Sequence, residues 1–443
     1  MSLAALVFAT VAASAAGALK DERDDVVHLK IGTRVVGEVK LELGVTHTQH
    51  SADEWGRPDS IKQARRLLPL VATFQNQHVM GWGGGNPEPT PGHYDWRTLD
   101  RRLELIRSTG GLPVVTLCCA PDWMKGGQRG ETTWSDLTKA PLRMHFNDYA
   151  ELAVQVVRRY SDVKYVQVWN ELKGFWSSTK HRWDYESYTD FYNSIYDRLK
   201  RENPALRICG PYAPMVTHRS DASDGSALSG PYGSVDKGVL EAFDYWLAHK
   251  HGADFICVDG ASRGSDRWAP EDPYESALAY YSDVTEWIRK RTNLPVWWSE
   301  WYSASDDASD DEQNALQALT LQAMATSVSV ALRWAPQGDS QAGHGNQESL
   351  WLDTDLSGGG RPLPFGYSVM HFRVCFPIGI AVYATTSDQK GLQALTSDRC
   401  LMLVNKTGRA FTAELSDRRY NIGAHRVVFV DRKTSRVLGD AAP

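Results

Sequence analysis

The feature that most limits how this chain can fold is the way its apolar residues recur. From about residue 41, short apolar runs alternate with stretches of helical spacing. Unbroken apolar runs of a few residues suit buried strands, whereas recurrence every three and four residues suits one face of a helix. Eight runs read as strands: Leu41–Thr46, Val71–Met80, Leu112–Leu117, Tyr165–Trp169, Arg207–Gly210, Asp254–Val258, Leu294–Ser299 and Val328–Trp334. Between two of them lies His145–Ser161, where Tyr149, Leu152, Ala153 and Val156 share one helical face. Asp311–Val328 repeats the pattern with Leu316, Leu319 and Leu321 through Met324. Asp310 and Asp311 stand in its opening turn, where carboxylates favour the helix dipole.

Strands that alternate with helices call for a parallel sheet. Eight such units, with no Gly-rich dinucleotide fingerprint after the first strand, predict an α/β fold: a closed (β/α)8 TIM barrel over residues 41–355. From residue 362 to 443 the pattern changes to short alternating runs (GIAVYAT, CLMLVNKT, AFTAEL, RVVFVD) separated by turn residues. These predict a smaller C-terminal antiparallel β-domain, sandwich-like, which Val26–Val39 joins with a strand or two. Gly83–Gly92, Ser220–Lys237 and Gln337–Glu348 follow strands and are rich in Gly, Ser, Asp and Pro. In a parallel barrel such segments rim the carboxyl end, where active sites form.

Met1–Ala18 is apolar and rich in small residues, resembling a secretory signal without its basic start; residues 1–20 read as such a signal or as a disordered tail, and predict a secreted or periplasmic protein, with a cytoplasmic one as the alternative. No other stretch approaches the roughly 20 apolar residues that span a bilayer. The formal net charge of −6 offers no basic field for nucleic acid or anionic membranes. Sixteen Trp and 18 Tyr supply flat rings with polar edges, suited to stacking on sugars as well as to packing a large core. Of the six cysteines, Cys118, Cys119, Cys209 and Cys257 lie in apolar runs and read as small buried hydrophobes. Cys375 and Cys400 are open to pairing, and the absence of any C-x-x-C pair argues against zinc and thioredoxin chemistry.

Two carboxylates carry the functional reading. VQVWNEL places Asn170 and Glu171 at the end of the fourth strand, and PVWWSEWY places Glu300 at the end of the seventh. Strand ends of a parallel barrel share one rim, so the two acids are expected across one mouth. A carboxylic acid that donates to a departing oxygen, opposite a carboxylate that attacks the anomeric carbon, is the equipment of a retaining glycosidase.

The chain resembles clan A of the glycoside hydrolases, and most closely family 39, which includes β-xylosidases and α-L-iduronidases. The resemblance covers about residues 41–430. It rests on GVTHTQ (Gly44–Gln49), HVMGWGGGNPEPTPGHYDWRTLD (His78–Asp100), LPVVTLCCAPDWM (Leu112–Met124), WNE and WWSEW. It implies Glu171 as acid/base, Glu300 as nucleophile, Asn170 as a hydrogen-bond partner of the sugar 2-hydroxyl, and Trp334 as a platform beneath the sugar. His78 is the expected imidazole near the nucleophile, and His47 and Gln49 are candidates for sugar hydroxyls. Trp82, Trp123 and Trp301 are candidate subsite walls. No metal or cofactor is implied, and the partner is a carbohydrate.

One departure stands out: the sixth strand runs FICVDG to Asp259, where much of the clan has Tyr or His. Three readings of Asp259 are open: a recogniser of hydroxyls, a modulator of the nucleophile, or a loop residue. Three rival functions are open as well. A metal-dependent barrel would use His47 and His50 in T-H-T-Q-H. A sugar-binding barrel without turnover, or a transglycosylase, would use the same scaffold.

Overall fold

The computed structural model describes residues 26–262, 264, 268–303, 308–338 and 349–439. The signal-like segment and most of Gln337–Glu348 lie outside these residues.

Eight strands close into a barrel: β1 (Glu42–Thr46), β2 (Phe74–His78), β3 (Leu112–Leu117), β4 (Tyr165–Val168), β5 (Arg207–Pro214), β6 (Phe255–Ala261), β7 (Val296–Tyr302) and β8 (Val330–Trp334). Each pairs in parallel with its neighbours in chain order, and β8 returns to β1. Every strand expected from the apolar runs is present. The second begins later than expected because Val71 still belongs to the preceding helix, and the fifth to seventh run further towards the rim.

The helices that follow are α1 (Pro58–Val71), α2 (Arg97–Ser108), α3 (Phe146–Arg159), α4 (Tyr185–Glu202), α5 (Lys237–His249), α6 (Pro273–Arg289), α7 (Asp310–Met324) and α8 (Pro364–Cys375). Their starts are written locally. Ser309 and Glu312 form a reciprocal capping box at α7, Asp272 accepts from the first free amides of α6, and Asp236 does the same for α5. A short polar acceptor at this position satisfies amides that have no intrahelical partner. The residues expected to face inwards from α3, Tyr149, Leu152, Ala153 and Val156, are all buried.

The barrel interior is plugged by aromatic rings. Phe74, Tyr165, Phe255 and Trp297 pack with centroids 4.2 to 5.3 Å apart where they touch most closely, among Val114, Val330 and Leu332. Large rings of this kind bury roughly 150–250 Å² each and dominate core energetics. The glycine of GVTHT is needed for closure, because a Cβ at Gly44 would meet the Phe74 carbonyl oxygen at 2.4 Å.

The cysteine reading needs correction. Cys209 and Cys257 are buried as expected, but they form a disulfide between β5 and β6, and Cys118 bonds Cys119. Cys375 and Cys400 also pair, so no cysteine is free. The sequence shows burial but not partnership, since adjacent barrel strands bring together residues 48 apart.

The second sheet has eight strands, and Val27, Leu401, Leu403, Phe411 and Ile422 from both ends of it share one buried cluster. Val26–Glu38 lies inside it, antiparallel to Ala381–Ser387 and parallel to Phe411–Leu415. The other pairings are antiparallel. This sheet contacts α7 and α8, where Arg426 meets Asp311 at 3.1 Å, and the Tyr274 hydroxyl of α6 reaches His425 at 2.8 Å. Among the described residues, no helix is long and apolar enough to cross a membrane.

Candidate active site

Beyond β4 the backbone coils tightly: Trp169, Glu171 and Leu172 all have φ between 53° and 66°. The Lys173 amide donates to the Asn170 carbonyl at 3.0 Å, and the Trp169 indole donates to the Lys173 carbonyl at 2.7 Å. Trp169 is itself fixed edge-on against Tyr149, Phe175 and Phe191. A left-handed backbone at non-glycine residues is costly and persists only where the surroundings hold it. Here it aims Glu171 over the barrel mouth.

Glu300 and Asp259 come from neighbouring strands and are direct register partners across β6 and β7. Irregularities at Val258/Asp259 and at Trp298/Trp301 adjust which way these side chains point. One oxygen from each of Glu171, Asp259 and Glu300 lies within 4.8 Å of the others. Three carboxyls therefore meet in one pocket, with Asp259 and Glu300 only 4% exposed.

Lys173, two residues after Glu171, places its ammonium 2.6 Å from a Glu171 oxygen and 5.5 Å from the centre of the Trp82 ring. Trp82 packs on His78 at 4.5 Å, and Trp334 stands edge-on to both, at 5.7 and 5.8 Å. His78, Trp82, Trp334, Lys173 and the three carboxyls thus form one continuous lining. Tyr212 of β5, buried and with φ of 52°, donates to the Ser299 carbonyl at 3.4 Å behind the acids. Asn170 is fully buried, and neither atom of its amide has a protein partner.

Charge in this pocket is strongly perturbed. Burial first, then the Glu171 carboxylate, pushes the Glu300 carboxyl well above its usual range, against Lys173 and Arg333. Asp259 is driven up by burial and then by Glu171 and Glu300. Lys173 is held above its ordinary value: burial opposes its charge, but Glu171 and Glu300 outweigh it. Burial, reinforced by Lys173, lowers His78 to about 3, so this imidazole is neutral. The raised pKa expected for a proton donor therefore falls on Glu300 and Asp259.

A stability effect follows. The folded protein keeps protons on Glu300 and Asp259 at pH values where the unfolded chain has lost them. Their neutral forms favour folding below the ordinary carboxylate range, and that contribution declines as pH rises above it. Glu300→Gln is expected to melt roughly a few degrees above the parent at pH 8, with the gap closing towards pH 4. Melting curves across this range check it; a gap independent of pH would contradict it.

Four sequence candidates are not brought to this lining. His47 is fully buried and uses both ring nitrogens, on Ser51 at 2.7 Å and Gln75 at 2.9 Å. Burial first and then Arg102 lower it to about 3, which makes it a neutral structural histidine. Gln49 is exposed on the loop after β1. Trp123 donates to the Glu88 carbonyl at 2.9 Å and packs on His145. Trp301 is 1% exposed and contacts Tyr281 of α6 and Phe365 of α8. It follows Glu300 in a strand, so its side chain leaves on the opposite face, towards the helices. Conversely, Lys173 and Tyr212 belong to the site, and sequence reasoning passed over them.

No protein-family model matches the sequence, and no curated protein is similar to it. Solved structures are similar in shape. A monomeric β-xylosidase from Caulobacter crescentus CB15 aligns with a TM-score of 0.58 at 16% identity, over 89% of this chain and 78% of that one. A GH39 enzyme from Xanthomonas axonopodis pv. citri gives 0.56 at 17% identity, over 86% and 74%. The catalytic domain of the GH30 xylanase C from Talaromyces cellulolyticus gives 0.52 at 13% identity, over 88% and 89%. In fold, this chain is similar to glycoside hydrolases of families 39 and 30.

Proposed function

We propose that this protein is a retaining glycoside hydrolase that cleaves O-glycosidic bonds by double displacement, with Glu171 as acid/base and Glu300 as nucleophile. The supporting observation is the separation of their carboxyl oxygens, no more than 4.8 Å. Retaining enzymes hold the pair roughly 5–5.5 Å apart, whereas inverting ones leave about 6.5–9.5 Å for a water. In this reading the sugar lies between Trp82, Trp334 and His78, and the unpartnered Asn170 amide takes its 2-hydroxyl. The family 39 and family 30 folds make β-xylosides the first substrates to try. The signal-like N-terminus and the three disulfides favour a secreted or periplasmic location.

A panel of aryl glycosides, with NMR of the first-formed anomer, tests this function. Turnover with net retention supports it; an inverted product would refute the nucleophile. Transglycosylation shares the covalent intermediate and would show as products longer than the donor. A sugar-binding barrel would bind without any turnover.

The carboxyl trio is also a donor set of the kind that holds a divalent cation, which keeps a metal-dependent reading alive. Against it, the Lys173 ammonium already supplies positive charge at 2.6 Å from Glu171. Activity is accordingly expected to change by less than about twofold after dialysis against EDTA, because no step needs a Lewis acid. Loss on chelation and recovery with an added cation would favour the metal reading.

A further inference from the structure

The pocket holds three carboxyls whose oxygens lie within 4.8 Å of one another, and one ammonium in contact with them, that of Lys173 at 2.6 Å from Glu171. Three negative charges against this one positive charge would leave buried carboxylate uncompensated, which is expensive at low dielectric. The three acids must therefore hold at least one proton among them. That proton is also the one a retaining glycosidase must hold before it can protonate a departing oxygen.

Its resting place is constrained by geometry. Glu171 is already engaged by the Lys173 ammonium, 2.6 Å from one of its oxygens. Glu300 must be ionised to attack. Asp259 is left: it is nearly inaccessible, one of its oxygens has no partner, and it has an oxygen within 4.8 Å of one on Glu171. The remaining titratable neighbours do not compete. Burial and Lys173 keep His78 neutral, and burial drives the Tyr212, Tyr280 and Tyr281 phenols upward.

We propose that Asp259 stores the proton that Glu171 delivers to the leaving group, and so is a positioning residue that acts through Glu171. The inference rests on the glycosidase reading above. In the first half-reaction Asp259 passes its proton to the Glu171 carboxylate. Glu171 then donates it to the glycosidic oxygen while the Glu300 carboxylate bonds to the anomeric carbon, and the bond to the departing alcohol breaks. In the second half-reaction Glu171 removes a proton from water as its oxygen attacks that carbon. The bond to Glu300 breaks, and the proton returns to Asp259. Atoms and charges balance without any further reactant.

Two measurements test this. In parent protein carrying 13Cγ-aspartate, one carboxyl signal is expected to stay at its protonated position at pH 7 and to be missing in Asp259→Asn. In kinetics on 4-nitrophenyl and 2,4-dinitrophenyl glycosides of whichever sugar the parent accepts, Asp259→Asn is expected to lose about 10²-fold on the poorer leaving group. On the dinitrophenyl substrate it should stay within about threefold, since little proton donation is needed there. The alkaline limb of kcat/KM should move down by at least about one pH unit. Asp259→Glu, which still carries an exchangeable proton, should recover most of that limb. Equal losses on both substrates with an unmoved pH profile would make Asp259 a sugar-binding residue and overturn the proposal. So would an aspartate spectrum with every carboxyl ionised at pH 7. If the parent hydrolyses no glycoside, the glycosidase reading fails by itself and the proposed relay with it; the spectrum still decides whether Asp259 holds a proton.

Discussion

Glu300→Ala is expected to abolish turnover, with a loss of about 10³-fold or more, the order found when a covalent catalyst is removed. The argument is structural. Glu300 lies on β7 with its oxygen no more than 4.8 Å from that of Glu171, and no other carboxyl among the described residues joins this pair except Asp259. Asp259 is the register neighbour of Glu300 on the adjacent strand and has a side chain one methylene shorter, so it is not placed to replace it. The alanine variant therefore has no substitute nucleophile. Because Trp82, Trp334 and Asn170, the proposed sugar contacts, are untouched, KM should change much less than kcat. Added azide or formate should restore some turnover by entering the space the side chain leaves, and should give a product of inverted configuration. Near-parental kcat in this variant would remove the covalent mechanism.

Glu171→Ala is expected to separate substrates by leaving group. A lost general acid costs about 10²–10⁴-fold where the departing alcohol is a poor one, and little where it is an excellent one. With dinitrophenyl glycosides, attack by Glu300 should proceed, but the glycosyl-enzyme should accumulate because nothing deprotonates the incoming water. A burst of phenolate and a fall in KM are the readouts, and azide should relieve the block with a retained glycosyl azide as product. Removing Glu171 also strips Lys173 of its contact at 2.6 Å, so Glu171→Gln serves as the companion variant with less disturbance of that ammonium. Unimpaired hydrolysis of a poor-leaving-group substrate by both variants would end the acid/base assignment.

The barrel was legible because its signals are local. Eight apolar runs bounded by amphipathic stretches leave little choice of topology, and the α7 start could be read from Asp310 and Asp311. Glu171, Glu300 and Asp259 were legible as strand-end acids. What escaped was set by tertiary neighbours. His47 differs from a ligand-binding histidine only through Ser51 and Gln75, and Gln75 comes from the next strand. Lys173 was passed over, although its position two residues after Glu171 was a usable hint. Trp301 could have been excluded by alternation alone: if Glu300 faces the pocket, its neighbour faces the helices. Tyr212 gave no signal, because a phenolic residue inside a barrel strand is unusual but says nothing about which acid it will meet.

The placement of Val26–Glu38 has a consequence for how the molecule is made. This strand leads directly into β1, yet its hydrogen-bonding partners are Ala381–Ser387 and Phe411–Leu415, more than 340 residues downstream. During synthesis it must wait unpaired until nearly the whole chain has been released, while contacts nearer in sequence are already available to the barrel. Cutting the gene after α8 would yield a barrel trailing an orphaned edge, a template for unwanted strand addition. The two sheets are therefore a single unit of inheritance, and neither can be borrowed alone as a ready-made module.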